Sequence, residues 1–153
     1  MIKIRQYRSG DEHTVWELHN IALKGTGAHL KDGAWDADLK EIEQVYLEDD
    51  GNFIVGVREG EIVAMGALKK TDRRRAEIKR MRVHPNHQRQ GYGELILQHL
   101  EMDARRLGYK ILHLETTKLQ IAAQKLYEKN GYERSGGRVV GGLVTIIYEK
   151  RLE

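Results

Sequence analysis

Cysteine is absent from the 153 residues. That excludes a disulfide framework, a thiolate metal site and a cysteine nucleophile. No apolar run reaches the roughly 18 residues a membrane-spanning helix needs, and the opening "MIKIRQYRSGDEH" lacks the apolar core of a signal peptide, so a cytoplasmic protein is expected. No GxxxxGK[ST] occurs, which argues against a P-loop. A dinucleotide-binding fingerprint is missing too: the only candidate glycines lie mid-chain, and Ile96 stands where its third glycine would be. The seven histidines show no metal-ligand spacing. His84 and His87 are three apart but precede a helix rather than lie on one, so surface or loop roles are expected and no metal is assigned.

Charge is nearly balanced, 26 basic against 23 acidic residues, net +3, which gives no reason to expect a nucleic-acid partner. Its distribution is uneven. "KKTDRRRAEIKRMR", Lys69 to Arg82, holds eight basic residues and two acids. Such a run serves either as a solvated strand face or as a positive field for an anionic ligand. Without interleaved aromatics it does not read as a single-strand-binding platform.

The hydrophobic periodicity gives the order β-α-α-β-β-β-α-β-α-β-β over one domain, residues 1–153. "IKIRQY" alternates as a strand. Val15, Leu18 and Ala22 share one face of a helix that Ser9 or Asp11 can cap. A second amphipathic helix is expected from Asp36, with Leu39, Ile42, Val45 and Tyr46 inward. "NFIVGVREGEIVAMGALKK" reads as a hairpin turning at Glu59-Gly60. The only proline, Pro85, ends a third long strand. A helix from Gly91 to Leu107 closes on Gly108, and a strand follows from Tyr109 to Thr116. The next helix has Thr117 and Gln120 at capping-box spacing and Gly131 beyond its end. Two last strands flank a loop "GGRVVGG". The strand–helix–strand units imply a parallel stretch within a mixed α/β (α+β) sheet.

Gly91 and Gly93 open the strongest helix, although glycine costs about 1 kcal/mol in a helix. A strand running through glycines into a helix exposes backbone N–H groups at the positive end of the helix dipole, where a phosphate can approach without meeting a Cβ. The same glycines also suit a tight turn with no ligand. They stand in "VHPNHQRQGYG", Val83 to Gly93, and "AQKLYEKNGY" follows at Ala123 to Tyr132. Together these motifs resemble the GNAT superfamily of acyl-CoA-dependent N-acetyltransferases, over roughly residues 50 to 135.

The resemblance implies the GNAT fold: a central mixed sheet of six to seven strands, about four flanking helices, and a splay between strands four and five. It implies acetyl-CoA as co-substrate, with its pyrophosphate on Gln88, Arg89, Gln90, Gly91, Tyr92 and Gly93. The pantetheine arm would lie along the backbone of Met81, Arg82 and Val83. The residues agree independently on one point. The three-residue gap between Ile78 and Met81 breaks strand alternation and predicts a β-bulge, which would open a slot beside strand four.

The family pattern places Tyr127 at the thioester sulfur as general acid, and a phenol stays protonated at neutral pH. The helix alone equally allows a core tyrosine, on one face with Ala123 and Leu126. Glu77, eleven residues before Gln88, has the spacing of the catalytic base of the histone-acetylating branch. Its alternative is a surface ion pair with Arg75 or Lys79, and Glu115 is another candidate base. Gln120 stands where the family often has Asn, either touching the cofactor or capping its helix.

Direct transfer to a primary amine in a ternary complex is the expected reaction, the acceptor being a small molecule or a peptide. The length of the acyl chain is not fixed, no membrane or nucleic-acid partner is expected, and a homodimer is left open. The acceptor loops would be Lys24 to Trp35 and Gly136 to Gly142. Trp35 would wall a pocket and Asp32, Asp36 or Asp38 would draw a cation, although Asp36 also suits helix capping. The rival readings are a non-catalytic acyl-CoA sensor on the same fold and a nucleic-acid-binding module on Lys69 to Arg82.

Overall fold

The computed structural model describes residues 1–24 and 34–152, with backbone alone for Ala34 and Trp35. Seven strands form one sheet in the order β1-β2-β3-β4-β5-β7-β6. Their ranges are β1 Lys3–Gln6, β2 Asn52–Arg58, β3 Glu61–Lys70, β4 Arg75–Val83, β5 Ile111–Thr117, β6 Glu133–Val140 and β7 Leu143–Arg151. The helices are α1 Glu12–Lys24, α2 Tyr92–Leu107 and α3 Ile121–Lys129. Every neighbouring pair of strands is antiparallel except β4 and β5. Those two are joined through α2, the crossover a parallel pair requires.

The sheet is covered on both faces. On one, Ile96, Leu97, Leu100 and Ala104 of α2 and Tyr127 of α3 meet Leu68, Ala76, Leu112 and Tyr148. On the other, Val15 and Leu18 of α1 pack with Leu39, Ile42 and Tyr46 against Phe53, Val55, Met65 and Ala67. The β2–β3 hairpin turns through Glu59 (φ 51°) and Gly60 (φ 82°), two left-handed residues whose twist matches that of the strands.

Four local expectations are corrected. The segment from Asp36 is not an α-helix: it forms a 3-10 helix, Ala34–Lys40, and a π-helical turn, Glu43–Leu47. Leu39 on the 3-10 helix and Ile42 just beyond it are both buried, and an apolar spacing of three suits a 3-10 repeat as well as an α-helix. Asp11 does not cap α1, because its carboxylate turns back to the Arg8 N–H at 3.0 Å and the Arg5 guanidinium at 2.8 Å. The helix expected from Thr117 begins at Ile121. Only half the capping box forms, with Gln120 Oε1 accepting the Thr117 N–H at 3.1 Å. "GGRVVGG" is mostly strand, since Gly136 to Val140 pair with β7 and the turn is confined to Gly141 and Gly142.

Candidate active site

The site begins with a defect in β4. Met65 pairs with Arg82, but the next pair is Ala67 with Lys79, two residues against three. The expected bulge is therefore present, with Arg80 in the left-handed region at φ 57°. β4 and β5 pair only from Arg75–Ile111 to Ile78–Leu114. Beyond that point the bulge bends β4 away and the strands part. His84 N–H donates to Val63 at 2.8 Å. By alternation, the backbone polar groups of Met81 and Val83 then face the gap.

A cleft of about 540 Å³ lies along this gap. Met81, Arg82, Val83, Gln88, Arg89, Gly91, Tyr92, Gly93, Gln120 and Tyr127 all contribute to its wall. Gln90 does not: it is exposed and its amide oxygen accepts from Arg58 Nη1 at 3.0 Å. Arg89 (φ 64°) and Gly91 (φ 81°) turn the chain sharply into α2. The first α2 amide bonded to backbone is that of Leu95, to Gly91 O at 3.1 Å. Among the described residues, no N–H from Arg89 to Gly93 is given to a protein acceptor. A row of unspent donors at a helix N-terminus suits a phosphate group.

A second cleft, of about 280 Å³, adjoins the first and shares Met81, Arg82 and Gln120 with it. Tyr127 is shared by both walls. Its ring is buried against Tyr132 and Tyr148, at centroid distances of 5.8 and 6.0 Å. Its hydroxyl makes no hydrogen bond among the described residues. Burial pushes the phenol up to about 12, against the opposing charge of Arg82, so it is a neutral donor at physiological pH. The ring is thus the core residue that the helix pattern allows, while its polar end remains unspent.

Glu77 and Glu115 both line the second cleft but are engaged differently. Glu115 accepts from Arg138 at 2.7 and 2.8 Å and from Thr145 at 2.6 Å. The Arg138 hydrogen bond, more than burial opposes it, holds its carboxyl below the usual range. Glu77 forms no ion pair among the described residues; the expected pairing with Arg75 is replaced by an Arg75–Glu149 contact at 2.6 Å. Gln120 Oε1 is taken by the N–H and hydroxyl of Thr117 and the hydroxyl of Thr116, each at 3.1 Å. Its amide nitrogen has no partner among the described residues.

Behind the bulge lies a buried polar network that the spacing of residues does not reveal. His19, expected at the surface, is fully buried on α1. Its Nε2 donates to Asp36 Oδ1 at 2.9 Å, and its Nδ1 accepts from Arg82 Nε at 3.3 Å. Burial first, then the charges of Arg82 and Arg80, depress its pKa to about 4, so the ring is neutral, in the tautomer these bonds require. Arg80 reaches Asp36 at 3.3 Å and Asp38 at 3.0 Å, and Asp38 also accepts from Tyr46. Asp36 therefore neither caps a helix nor waits for a substrate cation, and Asp38 is likewise spent on Arg80. The only sequence sign was a histidine interrupting the apolar face of Val15, Leu18 and Ala22. Asp32 and the side chain of Trp35 lie outside the described residues. No helix among the described residues is long and apolar enough to cross a membrane.

Comparison with known proteins extends this geometry. The chain is 41% identical over 75 residues to an uncharacterized N-acetyltransferase, YsnE, of Bacillus subtilis, covering 48% of this chain and 50% of that protein. It is 30% identical over 118 residues to an N-acetylaspartate synthetase of Xenopus tropicalis, covering 74% of this chain and 44% of the relative. The chain thus spans about half the length of these curated relatives. A GNAT-family acetyltransferase structure from Staphylococcus aureus superposes with a TM-score of 0.91 at 21% identity, covering 100% of both chains. The yncA structure from Salmonella typhimurium, a putative acetyltransferase solved with its cofactor acetyl-CoA, gives 0.82 at 22% identity, covering 100% of this chain and 95% of that one. These likenesses show the fold. The family model itself matches residues 11–132, well over half of the sequence, and the chain belongs to the Acetyltransferase (GNAT) family.

Proposed function

We propose that the chain transfers an acetyl group from acetyl-CoA directly to a primary amine, with both substrates bound together. The observation that carries this reading is Tyr127, which lines both clefts and whose hydroxyl makes no hydrogen bond among the described residues. The larger is walled by Arg89, Gly91, Tyr92 and Gly93, whose amides meet no acceptor among the described residues, and a helix N-terminus of this kind suits a pyrophosphate. The amides of Arg89 to Gly93 would hold that group, and Met81 and Val83 would pair the pantetheine arm as an added strand. That arm would meet one standing bond, because Arg82 Nη1 already donates to Met81 O at 2.8 Å.

Glu77 would accept a proton from the acceptor ammonium, directly or through water, and free the nitrogen lone pair. As nitrogen bonds to the carbonyl carbon, the carbon–sulfur bond breaks. Tyr127 would give its proton to the departing sulfur, whose conjugate acid resembles a thiol of pKa about 8.5. The phenol would be restored from solvent or from the acceptor's second proton. Bringing both reactants together in one geometry supplies much of the rate.

Tyr127→Phe is the test. The ring and its packing stay, so coenzyme A affinity by calorimetry should survive while thiol release falls about a hundredfold or more. Unchanged turnover would return Tyr127 to the core. Cofactor binding without thiol release from any of a broad panel of amines would instead make the chain an acyl-CoA sensor.

A further inference from the structure

We propose that the acceptor is a free α-amino acid, held as a zwitterion between Glu77 and Lys79. The inference rests on reading the 280 Å³ cleft as the acceptor site. A cleft built for a bare amine, itself a cation, would be lined by an excess of carboxylates. Here the lining holds three carboxylates, Asp36, Glu77 and Glu115, and four cations, Lys79, Arg80, Arg82 and Arg138.

Most of these charges are already matched. Asp36 faces Arg80 at 3.3 Å, and Glu115 faces Arg138 at 2.7 Å. Three remain. Among the described residues Arg82 donates to neutral acceptors alone, His19 Nδ1 at 3.3 Å and Met81 O at 2.8 Å, although the charges of Asp36 and Asp38 also act on it. Lys79 forms no ion pair among the described residues, although its field reaches Asp38 and Glu115. Glu77 forms none among them either, although its field reaches Arg138 and His113. Glu77 and Lys79 are two apart on β4, so both project from one face of the sheet with Cα atoms about 7 Å apart. Two cations and one carboxylate that stand outside the ion pairs of the cleft suit a ligand that brings one charge of each sign. The ammonium would lie at Glu77, where its proton must go. The carboxylate would lie at Lys79, with Arg82 beyond.

The rest of the cleft agrees with a small ligand of this kind. Its volume falls just below the ~300–1,000 Å³ of sites for drug-sized molecules. Leu23, Val140 and Leu143 supply an apolar wall away from the charged strand, which selects a neutral amino-acid side chain.

The test pairs each neutral amino acid with its own α-carboxamide, which keeps the amine and side chain but removes the negative charge. Both are titrated calorimetrically into the full chain loaded with coenzyme A, and both are assayed for thiol release with acetyl-CoA. At least one acid should bind, and react, at least tenfold better than its carboxamide. Lys79→Met should erase that ratio and Lys79→Arg should restore most of it, with coenzyme A affinity reporting that both variants are folded. Three results overturn the proposal: carboxamides equal to acids, no amino acid binding to the loaded chain, or a ratio that survives in Lys79→Met. Acids that bind under Lys79 control without thiol release would sink acetyl transfer and leave this site standing. Amines acetylated without regard to a carboxylate would do the reverse.

Discussion

Two glycines open α2, and replacing each by alanine should have different consequences. Gly91 sits at φ 81°, where a Cβ costs about 1–2 kcal/mol. Gly91→Ala would therefore lower stability and cofactor affinity together and prove little. Gly93 is inside α2, outside the left-handed region. A Cβ there would lie 3.4 Å from Leu126 Cδ2 and 3.7 Å from Val83 Cγ2, both ordinary contacts. The free protein thus has room for the methyl group, and the helix should gain up to about 1 kcal/mol in propensity, or about 2–4 °C in Tm for a domain of this size. The same methyl group would stand in the wall of the 540 Å³ cleft, beside the amides proposed to hold the pyrophosphate. Gly93→Ala should accordingly melt at or above the wild-type temperature yet bind coenzyme A at least tenfold more weakly, a loss of about 1.4 kcal/mol. Thermal melting and calorimetric titration on one sample read both effects. Wild-type affinity in a protein that is no less stable would refute the reasoning and leave Gly93 serving the turn alone.

The packing and the buried network give two further expectations. Gly66→Ala should cost about 1–3 kcal/mol with no help from backbone strain, because its Cβ would fall 2.5 Å from Ile96 Cγ2 and 2.8 Å from Met81 Sδ; an unchanged denaturation midpoint would contradict the close packing of α2 on β3. His19, depressed to about 4 in the fold against about 6.5 unfolded, favours the native state fully above about pH 6.5. Its contribution should fall with pH down to about 4, by at most ~1.4 kcal/mol per unit, and His19→Gln should flatten the slope in that window; an undiminished slope would assign it to other groups.

What the sequence made legible was local. The left-handed turn at Glu59-Gly60, the Gly108 stop of α2 and the β4 bulge all leave their mark within a few residues, as turn chemistry or a broken alternation. The 3-10 and π-helical stretch after Ala34 did not, because Leu39, Ile42 and Tyr46 can line one side of more than one helical form. Gly136 and Gly137 misled for a related reason. Glycines raise the expectation of a loop, but pairing with β7 is a tertiary contact that local propensity does not see.

The network around His19 is the extreme case of long-range determination. His19 meets Asp36 across 17 residues and Arg82 across 63, and no periodicity predicts such meetings. It also explains how the bulge persists. Arg80 occupies a left-handed conformation that disfavours an ordinary side chain by about 1–2 kcal/mol. Its guanidinium is held there by Asp36 and Asp38, carboxylates on a segment that packs onto α1 and the sheet. Removing those partners would leave a strained residue and a largely buried charge at the same point. The bend that parts β4 from β5 is therefore a property of three chain segments together. It can be noticed in β4 alone as an irregularity, but it is stabilised only where the 3-10 segment and α1 close over it. The two clefts and the exposed backbone of Met81 and Val83 exist because a local rule is broken at Arg80 and the tertiary contacts outweigh the cost.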